Sequence, residues 1–340
     1  MYYAGLDVAS KSSYVYVVDR RGRKVESKEI PTDKEGYRGY LRKWKDKVIE
    51  VALEAGGHSR WIYDLLTKMG VGVYVVNPNK VKLIAETKRK TDKVDAKVLA
   101  ELLRIEGLPE KIHMAEGDIR ELRDLLRARQ QLVKSATSLM NQLRGLLRQE
   151  GVKLKAEAFR DGEIFEELKK SKDIPLHLKP VIESYRRSIE ELLRERGQLD
   201  EVIGKYKNNE IELLKSVPGV GEVASKTIYA AIDTVKRFGS AKKLTSYCGL
   251  VPSVRSSRER TEYGHITREE RSEVRGVVKQ GAHAVLRSKS AESRPLRVWH
   301  EQVAKRRGFK TALVGLALIQ IMFYVLRDRR QYDYRLLSTR

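Results

Sequence analysis

The sequence predicts an α/β plus α protein: a mixed sheet with helices packed on it, followed by a long helical region. Three observations carry this. Short apolar runs alternate with amphipathic ones over residues 2–87, two long heptad repeats follow at 118–148 and 182–206, and beyond 208 the periodicity is helical around one Pro-Gly-Val-Gly turn. At 340 residues the chain is long enough for two or three cored domains, which we place at 1–110, 111–207 and 208–340.

Residues 2–30 read as three strands. YYAGLDV is short and apolar, SYVYVV is rich in β-formers, and a polar RRG turn leads into KVESKEI. Residues 33–46 suit a helix. VIEVALEA (48–55) is a buried strand broken by Gly56 and Gly57, and SRWIYDLLTKMG (59–70) is a helix with Gly70 as its C-cap. VGVYVV (71–76) is a further strand closed by Asn77-Pro78, and a helix over 79–87 follows. The next helix begins near Thr91, with an apolar face of Val94, Val98, Leu99 and Leu102.

Four acids stand out against this frame. Asp7 and Glu54 end two hydrophobic strands, at the C-terminal ends where open α/β sheets place their catalytic groups. Asp92 and Asp95 are three apart in a first helical turn, so both project from one face. A capping account covers that pair alone: Thr91 caps, the acids favour the N-terminal dipole end, and Lys88, Arg89, Lys90, Lys93 and Lys97 solvate the outside. It does not explain two further acids at strand ends. A fold gains nothing by gathering four carboxylates, but Mg²⁺, or Mn²⁺ in its place, takes hard oxygen ligands. Two such ions serve phosphodiester chemistry by activating an attacking oxygen and stabilising a leaving one.

The charge balance points the same way. A formal charge of +23 exceeds what a small-molecule enzyme needs and implies a polyanionic partner, with nucleic acid ahead of a membrane surface. One cysteine, Cys248, excludes an intramolecular disulfide and any Cys-rich metal site, and the six histidines show no metal-ligand spacing. The opening MYYAGLDVAS lacks the basic and apolar regions of a signal peptide, so an intracellular, cytoplasmic protein is expected. The uncharged run at 311–326 is too short to span a bilayer and reads as a buried helix, so no membrane partner is expected.

In the helical half, Leu125/Leu126, Leu132/Val133, Leu139/Met140 and Leu146/Leu147 recur every seven residues. Ile182, Tyr185, Ile189, Leu192, Leu199, Ile203 and Tyr206 alternate at spacings near three and four. Both are coiled-coil seams, broken between by Gly151, Pro175 and Pro180, and they predict an antiparallel hairpin that pairs with a second protomer; two helices of an ordinary bundle are the alternative. IELLKSVPGVGEVASKTIYAAI (211–232) reads as helix, hairpin turn, helix, and not as a dinucleotide fingerprint, because no strand precedes it. Gly219 and Gly221 would aim backbone N–H groups at a phosphate, with Lys226 adding charge nearby; a mere interhelical turn is the alternative.

CGLVPSVRSSRERTEYGHITR (248–268) reads as a loop without an element. Ser253, Ser256 and Ser257 sit among Arg255, Arg258 and Arg260, and these residues alone favour a phosphate-binding loop over a nucleophile, since no His–Asp partner is near. Helices are expected over 270–288 and 295–328, with Arg306 and Arg307 on a basic face.

GLDVAS, LEAGG, VNPNKVK, KTDKVDAKVLAELL, LKSVPGVGEVAS and FGSAKKLTSYCGLVPSVRSS…GHIT occur in one order, and together they resemble the DEDD-type insertion-sequence transposases, the bridge-RNA-guided serine recombinases. The resemblance implies an RNase H-like, RuvC-like domain whose metal quartet is Asp7, Glu54, Asp92 and Asp95, then a coiled-coil insert, then a helical transposase domain with a helix-hairpin-helix-like segment. It also implies a catalytic serine. Ser257 holds that position, and Ser256 is its alternative because Arg258 stands where the family carries glycine. The partners implied are donor and target double-stranded DNA and a structured non-coding RNA, with the protein a homodimer or homotetramer. A RuvC-like nuclease using metal-activated water would need the acids but no serine, and a non-catalytic nucleic-acid scaffold would need neither.

Overall fold

Five apolar runs at the start of the chain become one sheet. Strands β1 (Tyr2–Val8), β2 (Ser12–Asp19), β3 (Lys24–Pro31), β4 (Ile49–Glu54) and β5 (Gly72–Val76) lie in the order β3-β2-β1-β4-β5. The first three pair antiparallel, as their short turns require, while β4 runs parallel to both β1 and β5. The structure, a computed structural model, describes residues 1–44, 47–84, 92–155, 158–159, 162–256, 261–266, 272–307 and 318–337. They form two compact units, Met1–Met114 and Ala115–Arg340.

In the first unit, helices cover both faces of the sheet. Helices α1 (Lys34–Arg42) and α2 (Ser59–Lys68) pack Tyr37, Leu41, Ile62 and Leu66 against Ala4, Leu6, Val15, Val51 and Val73. Helix α1 is shorter than the 33–46 expected; Asp33 caps it, accepting from the Gly36 N–H at 2.7 Å. Helix α2 ends as its sequence predicts, with Gly70 at φ 77° and the Val71 N–H returning to Leu66 O at 3.0 Å. Helices α3 (Pro78–Ile84) and α4 (Asp92–Arg104) cover the opposite face, where Ala96, Leu99, Ala100 and Leu103 are buried on Ala52, Val76, Tyr16 and Val18. Thr91, the expected cap, lies outside the described residues.

The second unit begins with α5 (Gly117–Gln149), which α7 (Leu178–Gly204) lines along its length. The pairing is antiparallel: Tyr206 reaches Glu121, Arg129 pairs with Asp200, and Tyr185 donates to Gln142 at 3.2 Å. Buried side chains concentrate at the two ends. Leu122, Leu126 and Ile203 pack on Ala230 at the base, and Leu143, Leu147, Ile182 and Ile189 join Phe165 of α6 (Glu163–Lys170) at the tip. Pro180, expected as a breaker, sits in the first turn of α7, where its missing N–H leaves no intrahelical bond unmade.

Helices α8 (Asn209–Lys215), α9 (Glu222–Ile232), α10 (Ala241–Tyr247), α11 (Ser272–Arg287), α12 (Arg294–Arg307) and α13 (Leu318–Asp328) complete this unit around Leu214, Leu244, Val285 and Met322. The apolar run at 311–326 is buried where described, from Leu318 onward, and among the described residues no helix is long and apolar enough to cross a membrane. The segment 248–268, expected as a loop, is different. Strands β6 (Pro252–Ser256) and β7 (Thr261–Ile266) pair antiparallel with Ser256 opposite Thr261. Val254, Thr261, Tyr263 and Ile266 are β-formers whose pattern the surrounding Gly, Ser and Arg obscure.

Candidate active site

The acid cluster is built by two contacts of β1. Leu6 pairs with Leu53, so the next residues along, Asp7 and Glu54, stand side by side at the C-terminal ends of adjacent parallel strands. Alternation puts Tyr3, Gly5 and Asp7 on one face of β1 and Ala4 and Leu6 on the other. Gly5 is where α4 crosses: a Cβ there would lie 1.9 Å from Ala96 O and 2.7 Å from Ala100 N. Only a glycine admits that approach. It brings the first turn of α4, with Asp92 and Asp95, over the face that carries Asp7.

The electrostatics record the convergence. The Asp7 carboxyl is raised from 3.8 to about 6, first by burial and then by the negative charges of Asp92, Asp95 and Glu54; the Val8 N–H opposes the rise. The other three acids are thus close enough for Asp7 to feel their charge. Among the described residues, no three His, Cys, Asp or Glu side chains share a common ligand point, so this is a cluster at Coulombic range and not a preformed cage. Its donor set is all carboxylate oxygen, which fits Mg²⁺ or Mn²⁺ and not a soft metal.

The sequence did not mark Gly5 as part of the site.

In the second unit, the Pro-Gly-Val-Gly turn joins α8 to α9 as expected. Gly219 has φ 79°, and a Cβ on it would lie 2.3 Å from Gly281 O of α11, so packing as well as the turn demands glycine. Both Gly219 and Gly221 remain exposed. Lys226 does not serve as expected. It is wholly buried, and its ammonium donates to Ile203 O at 2.7 Å and pairs with Glu222 at 2.6 Å, tying α9 to the last turn of α7. A phosphate cannot reach it. Helix α9 is apolar on nearly every side (Val223, Ala224, Ile228, Ala230, Ala231, Ile232), a pattern that marks a helix buried all round.

Arg255 lies on β6 opposite Glu262, and Arg306 and Arg307 end α12. Ser257, Arg258 and Arg260 lie outside the described residues, as do Lys88, Arg89 and Lys90. The acids belong to the first unit, and the β6–β7 hairpin to the second.

Comparison with known proteins addresses both halves. Residues 4–151 match the model of the IS110-type DEDD transposase domain, described as a transposase, and residues 211–296 match the transposase IS116/IS110/IS902 family. The chain is 30% identical over 288 residues to the transposase for insertion sequence element IS1111A of Coxiella burnetii, covering 80% of this chain and 75% of that protein. It is 25% identical to a probable family 20 transposase of Pseudomonas aeruginosa over 92% of each.

Proposed function

The chain belongs to the IS116/IS110/IS902 family of transposases, enzymes that cut and join DNA, and from that premise we propose a serine-nucleophile mechanism supported by the acid quartet. The DEDD match implies an RNase H-like fold for the first unit. Asp7, Glu54, Asp92 and Asp95 would hold Mg²⁺, or Mn²⁺, which when bound neutralises charge and acts as a Lewis acid at a phosphate. The observation that carries this is the geometry: Asp7 and Glu54 end adjacent parallel strands, and α4 crosses β1 at Gly5 with Asp92 and Asp95 in its first turn; the Asp7 carboxyl, raised by burial and by those three charges, agrees with it.

The Ser257 hydroxyl attacks a DNA phosphorus. Its Oγ–P bond forms as the P–O3′ bond breaks, the 5′ phosphate stays on the serine, and the proton ends on the 3′ oxygen. The phosphoserine keeps the bond energy, so rejoining to another 3′ hydroxyl needs no ATP. Arg255, Arg258 and Arg260 neutralise the phosphate. Lys88, Arg89, Lys90, Arg306 and Arg307 add sequence-independent backbone contacts, and so do the amides at Gly219 and Gly221. Sequence is then read by a structured non-coding bridge RNA pairing with donor and target double-stranded DNA, while the protein reads shape and backbone. Residues 1–110, 111–207 and 208–340 serve as catalytic, bridging and serine-bearing regions of a homodimer or homotetramer.

Denaturing gels of full-length protein with labelled DNA test this. Wild type should leave a protein–DNA adduct, and Ser257→Ala should bind DNA yet leave none; Asp95→Asn should abolish both cutting and adduct. An adduct that survives Ser257→Ala but is lost in Ser256→Ala moves the nucleophile by one residue. Cutting without an adduct in any variant would make water the nucleophile and the serine mechanism wrong.

A further inference from the structure

A cavity of about 430 Å³ opens within the second unit between the end of α9, the 3₁₀ turn Val235–Arg237 and α13. Its wall combines two chemistries. Phe238 and Tyr324 supply aromatic surface, and Tyr324 is 47% exposed although its neighbour Phe323 is buried. Lys236 and Arg329 supply positive charge; the Arg327 guanidinium, which also donates to the Asp328 carboxylate at 2.6 and 3.1 Å, lies 4.7 Å from the Tyr324 ring centroid and forms a platform with it. Glu210 and Asp233 add carboxylate acceptors, with Arg329 at 3.9 Å from Glu210.

The wall is also strained. Asp233 caps α9 at φ 64° and ψ −77°, which a non-glycine residue rarely adopts. Its N–H donates to Tyr229 O at 2.8 Å. Beyond it, Arg237 donates to Ile232 O at 2.8 Å and stacks on Phe238 and Tyr247. Strain that the surroundings hold in place concentrates at ligand sites.

We infer that this cavity takes a single nucleotide, with the base on the Tyr324 and Phe238 surface and the phosphate on Lys236 and Arg329. The volume falls within the roughly 300–1,000 Å³ of small-ligand sites. Aromatic rings and guanidinium planes are the platforms on which unstacked bases rest. The two carboxylates suit bases with an exocyclic amino group. An uncharged apolar ligand would displace water from these charged side chains and offer them no polar contact in return. The nucleotide is either free or an unpaired position in a strand, and neither source depends on the acids or the serine proposed above.

The test titrates full-length protein with adenosine monophosphate and, separately, with inorganic phosphate, and crosslinks a single-stranded oligonucleotide carrying one photoreactive adenine. The monophosphate should bind more tightly than phosphate. Tyr324→Ala should weaken it roughly 5- to 150-fold, the range of one base stack, while Tyr324→Phe binds like wild type. Lys236→Ala should weaken the monophosphate and phosphate alike. A crosslink mapped to residues 234–241 or 321–329 identifies a base in a strand; monophosphate binding without it identifies a free nucleotide. The inference is overturned if the monophosphate binds no better than phosphate and no crosslink forms in the cavity. It is equally overturned if Tyr324→Ala, melting like wild type, leaves the observed binding unchanged. Should Tyr324→Ala melt early, Lys236→Ala decides, because that side chain is exposed, and unchanged binding in it sinks the inference.

Discussion

Asp7 concentrates the chemistry of the first unit in one titration. Its folded value of about 6 lies above the ordinary 3.8, so the folded chain binds that proton more tightly than the unfolded chain. The corresponding stabilisation is complete below pH 3.8 and is lost as pH rises through 6. Asp7→Asn, which keeps the shape and removes the charge, should therefore stabilise the first unit in chelator-treated protein at pH 7.5. Allowing for solvent screening, the gain is about 1 kcal/mol, and it should vanish once the pH is well below 3.8. A divalent ion relieves the same repulsion but competes with the proton. Melting curves with Mn²⁺ should show a larger upward shift at pH 7.5 than at pH 5.5, and almost none in Asp7→Asn. An equal shift in the variant would place the ion elsewhere.

At the scale of elements, Gly5 decides where α4 lies. Gly5→Ala puts a methyl group into the backbone of α4, 1.9 Å from Ala96 O, so the helix must move away from β1 and take Asp92 and Asp95 with it. We expect a loss of about 2 kcal/mol or more by overpacking and a loss of the Mn²⁺-dependent melting shift. Gly56→Ala, with nothing within 4 Å of its Cβ, is the control that should change neither. Retained Mn²⁺ response in Gly5→Ala would mean the crossing does not position the acids. The sequence made the strand ends legible because apolar runs stop on Asp7 and Glu54, and it made the acid pair legible because Asp92 and Asp95 open an amphipathic helix. Gly5 was not legible, since its need arises only when a helix from ninety residues away crosses it. Lys226 was misread because a lysine on a helix is ordinarily solvated; that α9 packs on α7, α8 and α11 is a tertiary fact. The β6–β7 hairpin was hidden by composition, its β-formers spaced among serines and arginines.

Across the molecule, the α5–α7 hairpin poses the question of self-association. Its two ends are cored, but in its middle only Ala136 of α5 is buried, and the cross-helix tie near there is ionic: Arg129 of α5 pairs with Asp200, which Arg196 of the same helix α7 also neutralises. On α5, Leu132 and Val133 occupy heptad positions in that stretch, half-buried, and belong to no buried cluster of the described residues. Leu139, one heptad on, packs into the tip core with Leu143 and Phe165. The two leucines should therefore behave differently. Leu132→Asp should leave the melting curve close to wild type while weakening self-association at least tenfold, because a second protomer would have to bury the new carboxylate unpaired. Leu139→Asp should lower the melting temperature as well. Light scattering over a concentration series, with and without nucleic acid, separates the cases. A wild type that stays monomeric throughout removes the oligomer, and a Leu132→Asp variant that associates like wild type moves the interface off this face.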